Sequence, residues 1–179
     1  MTGTVVLNGK ARIACGQTAT SDALGSSELY TPATGTFTLT GRLVTPRSGH
    51  TATLLASGLV LIAGGENVNG ISLSKTELYK PATGTFAATA NMPSNRQEHR
   101  AVLLPSGSVL VVGGNKVSST TTTVLASCAI YNPATGSWTT ASTMKNARAD
   151  HTATLLHNGH VLVTGGDNTS GELATAELF

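Results

Sequence analysis

Three groups of residues return in the same order along this chain, and such a chain folds most simply as like units stacked on one another. HTATLL at residues 50–55 returns as HRAVLL from His99 and as HTATLL from His151. LVLIAGG, ending at Gly65, returns as VLVVGG ending at Gly114 and VLVTGG ending at Gly166. TELYKPATGTF over residues 76–86 returns as CAIYNPATGSW over residues 128–138. His50, His99 and His151 lie 49 and then 52 residues apart. The N-terminus fits the same frame with decay. KARIACG stands where LVLIAGG stands in the next unit, and SELYTPATGTF over residues 27–37 supplies a third and fourth element. The last unit stops at AELF, residues 176–179, so its fourth element is absent.

Each unit reads as four strands. The first two are joined by ASG, PSG or HNG, hairpin turns in which Gly supplies positive φ. The third and fourth are joined by Pro-Ala-Thr-Gly, where Pro presets φ and Gly takes the left-handed position. The second strand is apolar on both sides, as a strand packed on both faces must be. No segment shows helical periodicity with caps. The units run over about residues 4–41, 50–92, 99–144 and 151–179 of a single domain spanning 1–179.

The order Arg-x-x-His, apolar strand, Gly-Gly, Glu-x-Tyr, Pro-x-x-Gly, aromatic resembles the kelch repeat. It is also similar to the kelch-like central domain of galactose oxidase and its relatives. The resemblance covers nearly the whole chain and implies an all-β fold: a β-propeller of about four blades, each of four antiparallel strands, the last lacking its fourth. Kelch propellers generally close with six or seven blades, so the resemblance also implies a piece of a larger ring. A four-bladed ring and self-association through open propeller edges are the other outcomes. An apolar face is expected to lie exposed at the fourth unit.

Six glycines and six rings are expected to be structural. Gly64, Gly65, Gly113, Gly114, Gly165 and Gly166 end the second strands, where loss of Cβ lets a ring of the third or fourth strand come close. The first unit departs here, with Cys15 in place of the first Gly and Arg12 where the others have Leu, so one of its faces is expected to be looser or solvated. Tyr30, Tyr79 and Tyr131 fill the third-strand slot with Phe179, and Phe37, Phe86 and Trp138 fill the fourth. These account for all seven aromatic residues, so none is left to stack on a sugar or a nucleic-acid base.

Arg47, Arg96 and Arg148 precede His50, His99 and His151 by three residues. Two readings stand. Arg braces units through carbonyls or the recurring Glu28, Glu77 and Glu177 while His caps the inner strand, or the six form a ring that receives an acidic partner. In an up-down unit the links after strands two and four share one side. Those links are long and variable: residues 66–74, 115–126 and 167–173, then 89–98 and 142–150. Variable loops on a rigid scaffold are where recognition usually lives, which adds Glu66, Asn115, Lys116, Asp167 and Asn168 as candidate binding residues.

Composition narrows the function. Charged residues are only 11 % and the net charge is +2, which leaves no electrostatic footprint for nucleic acid. No apolar stretch reaches the length of a membrane span, and the first residues do not read as a signal peptide. Family habit and composition lean towards the cell surface or the extracellular space. Cys15 and Cys128 read as small buried hydrophobes. His157 and His160 flank a turn but are too few for a metal site, and no cofactor is expected. The expectation is a non-catalytic module that binds a protein or peptide through the variable face. The alternatives are the propeller part of a secreted galactose-oxidase-like enzyme, or a structural surface or adhesion repeat.

Overall fold

The computed structural model describes residues 2–5, 11–14 and 23–179, the first two segments as backbone path only. Cys15 lies outside the described residues, and so does the side chain of Arg12. The described chain is all-β, built from antiparallel sheets. The first sheet holds β1 (Thr2–Val5), β2 (Ala11–Ala14), β3 (Ser27–Thr31) and β4 (Thr36–Leu39) in that order. The second holds β5 (Thr51–Leu54), β6 (Val60–Ala63), β7 (Thr76–Lys80) and β8 (Thr85–Thr89).

The third sheet starts with β9 (Arg100–Leu103) and β10 (Val109–Val112). A separate hairpin of β11 (Asn115–Val117) and β12 (Thr122–Val124) follows, and β13 (Cys128–Asn132) and β14 (Ser137–Thr140) complete the sheet. The fourth has β15 (Thr152–Leu155) and β16 (Val161–Thr164), a second small hairpin of β17 (Asp167–Asn168) and β18 (Gly171–Glu172), and β19 (Ala176–Leu178). Both small hairpins lie in links read from the sequence as loops.

Alternation along the second strands divides the core. Val60 and Ile62 of β6 join Leu43 and Tyr79 in one cluster, while Leu61 joins Leu55, Val109 and Tyr131 in another. Successive side chains point to opposite faces, so β6 packs on both sides and all four of its residues are buried. Burying such a side chain is worth roughly 1.5–3 kcal/mol, so each interface between sheets is a small core of its own. A further cluster unites Val102, Leu110, Val112 and Cys128 of the third sheet with Val161 and Val163 of the fourth. Burial there raises the Cys128 thiol above its ordinary value. The first strands of successive sheets adjoin: β1 against β5, β5 against β9, and β9 against β15.

The rings sit as cross-strand pairs. Tyr79 faces Phe86 and Tyr131 faces Trp138 across third and fourth strands, with centroids 4.8 and 5.1 Å apart. Tyr30 and Phe37 make the same pair at 4.8 Å. The expectation that every ring is consumed by packing fails for Phe37, which is 53 % exposed. It lies on the face of the first sheet turned away from the second, packed beside Tyr30.

The glycine pairs also differ from expectation. Gly64 and Gly65 both have positive φ. A Cβ on Gly64 would run into the Arg96 carbonyl and the His99 ring, and one on Gly65 into the Ser48 carbonyl. Gly113 meets Arg148 and His151 in the same way. The close approach to Gly64 and Gly113 is made by the Arg-x-x-His link of the following unit, and that to Gly65, Gly114 and Gly166 by the link of their own unit, not by a ring of the third or fourth strand. The Arg96 carbonyl also accepts from the Gly65 amide at 2.9 Å.

Candidate binding face

Each Arg of the repeat reaches into the unit that it introduces. Arg47 Nη1 donates to the carbonyls of Gly64 at 2.8 Å and Lys75 at 2.7 Å, and Nη2 to Glu77 at 2.7 Å. Glu77 also accepts from the Val44 and Thr45 amides at 2.8 and 3.0 Å, which ties the link to β7. Arg148 repeats the arrangement with Gly165, Thr175 and Glu177. Burial alone would raise the Glu177 carboxyl, but the Lys145 and Asn146 amides and the Arg148 guanidinium outweigh it and hold it below its ordinary value. Ala129 stands where the third unit would carry Glu. Arg96 is bound there by the carbonyls of Gly113 and Ser127 and by the Ser127 hydroxyl at 3.2 Å. Burial without a carboxylate partner lowers it to about 10.

The histidines are sealed with them. His50, His99 and His151 are all buried. His99 Nε2 lies 2.9 Å from the Thr51 hydroxyl of the preceding unit. Arg100 occupies the corresponding place before His151, and His151 Nε2 makes no such bond. Burial, then Arg96, pushes His99 well below its ordinary value. Burial, then Arg100 and Arg148, pushes His151 to about 4. The reading of Arg47, His50, Arg96, His99, Arg148 and His151 as a ring open to an acidic partner is therefore corrected. Main-chain carbonyls, carboxylates and hydroxyls take the Nη donors, and all six side chains are buried away from a partner in solvent.

What remains open lies just beyond the glycine pairs. Glu66, Asn115 and Asp167 follow them at equivalent places, each bridged to the link of its own unit at Ser48, Gln97 and Ala149. Lys116 is exposed on β11. Asn168 is partly buried, with its Nδ2 donating to the Ala147 carbonyl at 3.4 Å. Neighbouring links are joined as well. The Ser72 amide donates to the Val117 carbonyl at 3.0 Å, and the Val117 amide to the Ser72 hydroxyl at 2.9 Å. That hydroxyl also lies 3.0 Å from Gln97 Oε1 and 3.1 Å from the Asn115 carbonyl. The links of the second and third units are thus held together.

No protein-family model matches the chain, and no curated protein matches it either.

Two residues of this face were missed from the sequence. Glu98 and Asp150 have φ of 55° and 49°, a left-handed backbone that costs a residue with Cβ roughly 1–2 kcal/mol. The equivalent residue in the second unit is Gly49, with φ of 60°. That glycine was the available signal, since a repeat that places Gly at one copy of a position marks a left-handed site. The three are linked in series: the Glu98 amide donates to the Gly49 carbonyl at 3.2 Å, and the Asp150 amide to the Glu98 carbonyl at 3.3 Å. Burial raises the Glu98 carboxyl above its ordinary value, and Asp150, Glu66 and Asp167 add to the effect against a 2.6 Å hydrogen bond from Asn115. Asp150 and Asp167 are exposed here and Glu66 and Glu98 partly so, against the exposed Lys116, so acidic groups outnumber basic ones on this face. Among the described residues no three His, Cys, Asp or Glu side chains are grouped to hold a metal ion, and no helix is long and apolar enough to cross a membrane.

Proposed function

We propose that the chain is a kelch-type propeller segment that acts as a non-catalytic interaction module. The partner is a protein or peptide, and the surface that receives it is built from the links after the second and fourth strands. One observation carries the reading: the links that differ most between repeats are hydrogen-bonded to each other through Ser72, Asn115 and Val117. A surface fixed before the partner arrives loses less conformational entropy on binding. The turns on the other side are short and alike, which gives little to discriminate with.

Charge sharpens the choice of partner. Glu66, Glu98, Asp150 and Asp167 lie close enough for their charges to disfavour one another at Glu98. A segment bearing Lys or Arg relieves that repulsion on docking. An enzymatic reading has less support. The Tyr79 and Tyr131 hydroxyls lie on Thr40 and Thr89 between sheets and are placed for packing, not for a reactive centre.

The test is titration of the 179-residue chain against labelled Lys- and Arg-rich peptides and their Glu-rich counterparts, read by fluorescence anisotropy. Binding of the basic set that weakens with salt and is lost when residues 115–126 are exchanged for the shorter 66–74 link supports the reading. Equal binding of both sets, or no binding, removes it.

A further inference from the structure

The chain carries both halves of an interface that it already makes within itself. At the junction of the second and third sheets, Leu55, Leu61 and Leu78 meet Tyr131 and Trp138, and Leu61 is 1 % exposed. By the repeat, Leu156, Leu162 and Leu178 of the fourth sheet stand where Leu55, Leu61 and Leu78 stand. Leu162 is directly opposite Leu178 across β16 and β19, and Leu178 is 62 % exposed. The glycine slot on this side is open too. A Cβ on Gly165 meets nothing closer than the Leu173 carbonyl at 3.9 Å, whereas the same atom on Gly64 or Gly113 runs into the next link.

The other half lies at the opposite end. Tyr30 and Phe37 hold the arrangement of Tyr131 and Trp138, with interplanar angles of 39° and 47°. Leu39, beside Phe37 on the same face of β4, is 77 % exposed. A ring pair shaped to cover leucines, with Phe37 53 % exposed, thus stands at one end of the stack, and leucines shaped to be covered stand at the other.

We infer that two copies of this chain associate head to tail, the Leu156–Leu162–Leu178 face of one receiving the Tyr30–Phe37–Leu39 face of the next. The occupant is a second copy because the rings that fit this leucine face are those of the chain itself, in the geometry of its internal junction. The contact is heterologous: each copy keeps one face of each kind, so copies either close into a ring or continue into longer assemblies. The inference stands apart from the proposed binding face, which faces a different direction.

Sedimentation velocity over a concentration series tests it. The unaltered chain should show species above the monomer, with the mean mass rising with concentration. Leu178→Asp removes one face and Leu39→Asp the other; both side chains are exposed, and far-UV circular dichroism checks that each variant folds. Each variant alone should sediment as a monomer, because every copy then lacks the same one of the two faces. An equal mixture should give a one-to-one dimer through the two intact faces. Leu178→Lys should behave as Leu178→Asp. An unaltered chain that stays monomeric throughout overturns the inference. So do variants that associate as strongly as the unaltered chain, and so does a mixture that stays monomeric.

Discussion

The Thr40 hydroxyl lies 2.9 Å from the Tyr79 hydroxyl and joins the first sheet to the second. Thr89 and Tyr131 join the second to the third at 3.1 Å. At the third junction the same two positions hold Ala141 and Phe179, so both polar groups are missing together. A buried hydroxyl without a partner costs more than a pair of apolar replacements. Tyr79→Phe is therefore expected to lower stability by about 1 kcal/mol. Tyr79→Phe with Thr40→Ala should cost less than the sum of the two single changes. A double-mutant cycle in urea reads the coupling, and additive losses would show that the bond contributes nothing.

Acid should loosen the fold before the carboxylates titrate. His99 and His151 are held neutral, with His151 lowered to about 4. The unfolded chain binds protons near 6.5, so between that value and the folded ones it holds more protons than the folded chain. Stability is then full above about 6.5 and falls as the pH drops towards 4, by about 1.4 kcal/mol for each unit that separates the two values. Melting temperatures from pH 8 to pH 4 check this, and His151→Gln should flatten the slope. Glu98 has the opposite sign: its raised carboxyl is a cost above its folded pKa, so Glu98→Gln should add stability at neutral pH.

The two kinds of arginine brace should respond differently to loss. Arg47→Met leaves the Glu77 carboxylate buried without its guanidinium, for which roughly 3–5 kcal/mol is expected. Arg96→Met strands only carbonyls and a hydroxyl, and roughly 1–3 kcal/mol is expected. Urea midpoints of the two variants give the comparison. Equal losses would mean that the ion pair at Glu77 has no special weight.

Asp150→Gly should stabilise the chain while reducing the acidity of the face. Relief of the left-handed backbone is worth roughly 1–2 kcal/mol, against roughly 0.5–1 kcal/mol for the greater freedom of Gly in the unfolded chain. A net gain of about 0.5 kcal/mol is expected by thermal unfolding. A loss would show that the Asp150 side chain makes contacts worth more than the strain.

The strands were legible because their residues repeat: the apolar runs, the turn glycines and the ring pairs all fell where the repeat put them. The glycine pairs showed that a Cβ would not fit but not what approached, because a carbonyl and an imidazole leave no signature in the glycine. Arg47, Arg96 and Arg148 read as braces or as a binding ring, with their return in every unit favouring the braces. Spacing cannot tell a guanidinium facing carbonyls from one facing water. Phe37 occupies the same slot as Trp138, and its exposure depends on a neighbour that lies on only one side of the first sheet. Glu98 and Asp150 escaped notice because their side chains carry no hint of the backbone that Gly49 makes plain.

Because each Arg-x-x-His segment grips its own unit, and those at Arg96 and Arg148 also rest on the glycines of the one before, the connections on that side hold the stack in order. The turns on the far side, such as that at Gly107, carry no such grip. A protease that nicks there would put Arg96 on one fragment and the Gly113 and Ser127 carbonyls that it holds on the other, so the grip itself would span the cut and keep the two fragments assembled. A cut just before Arg96 would instead separate neighbouring units along the path that orders them.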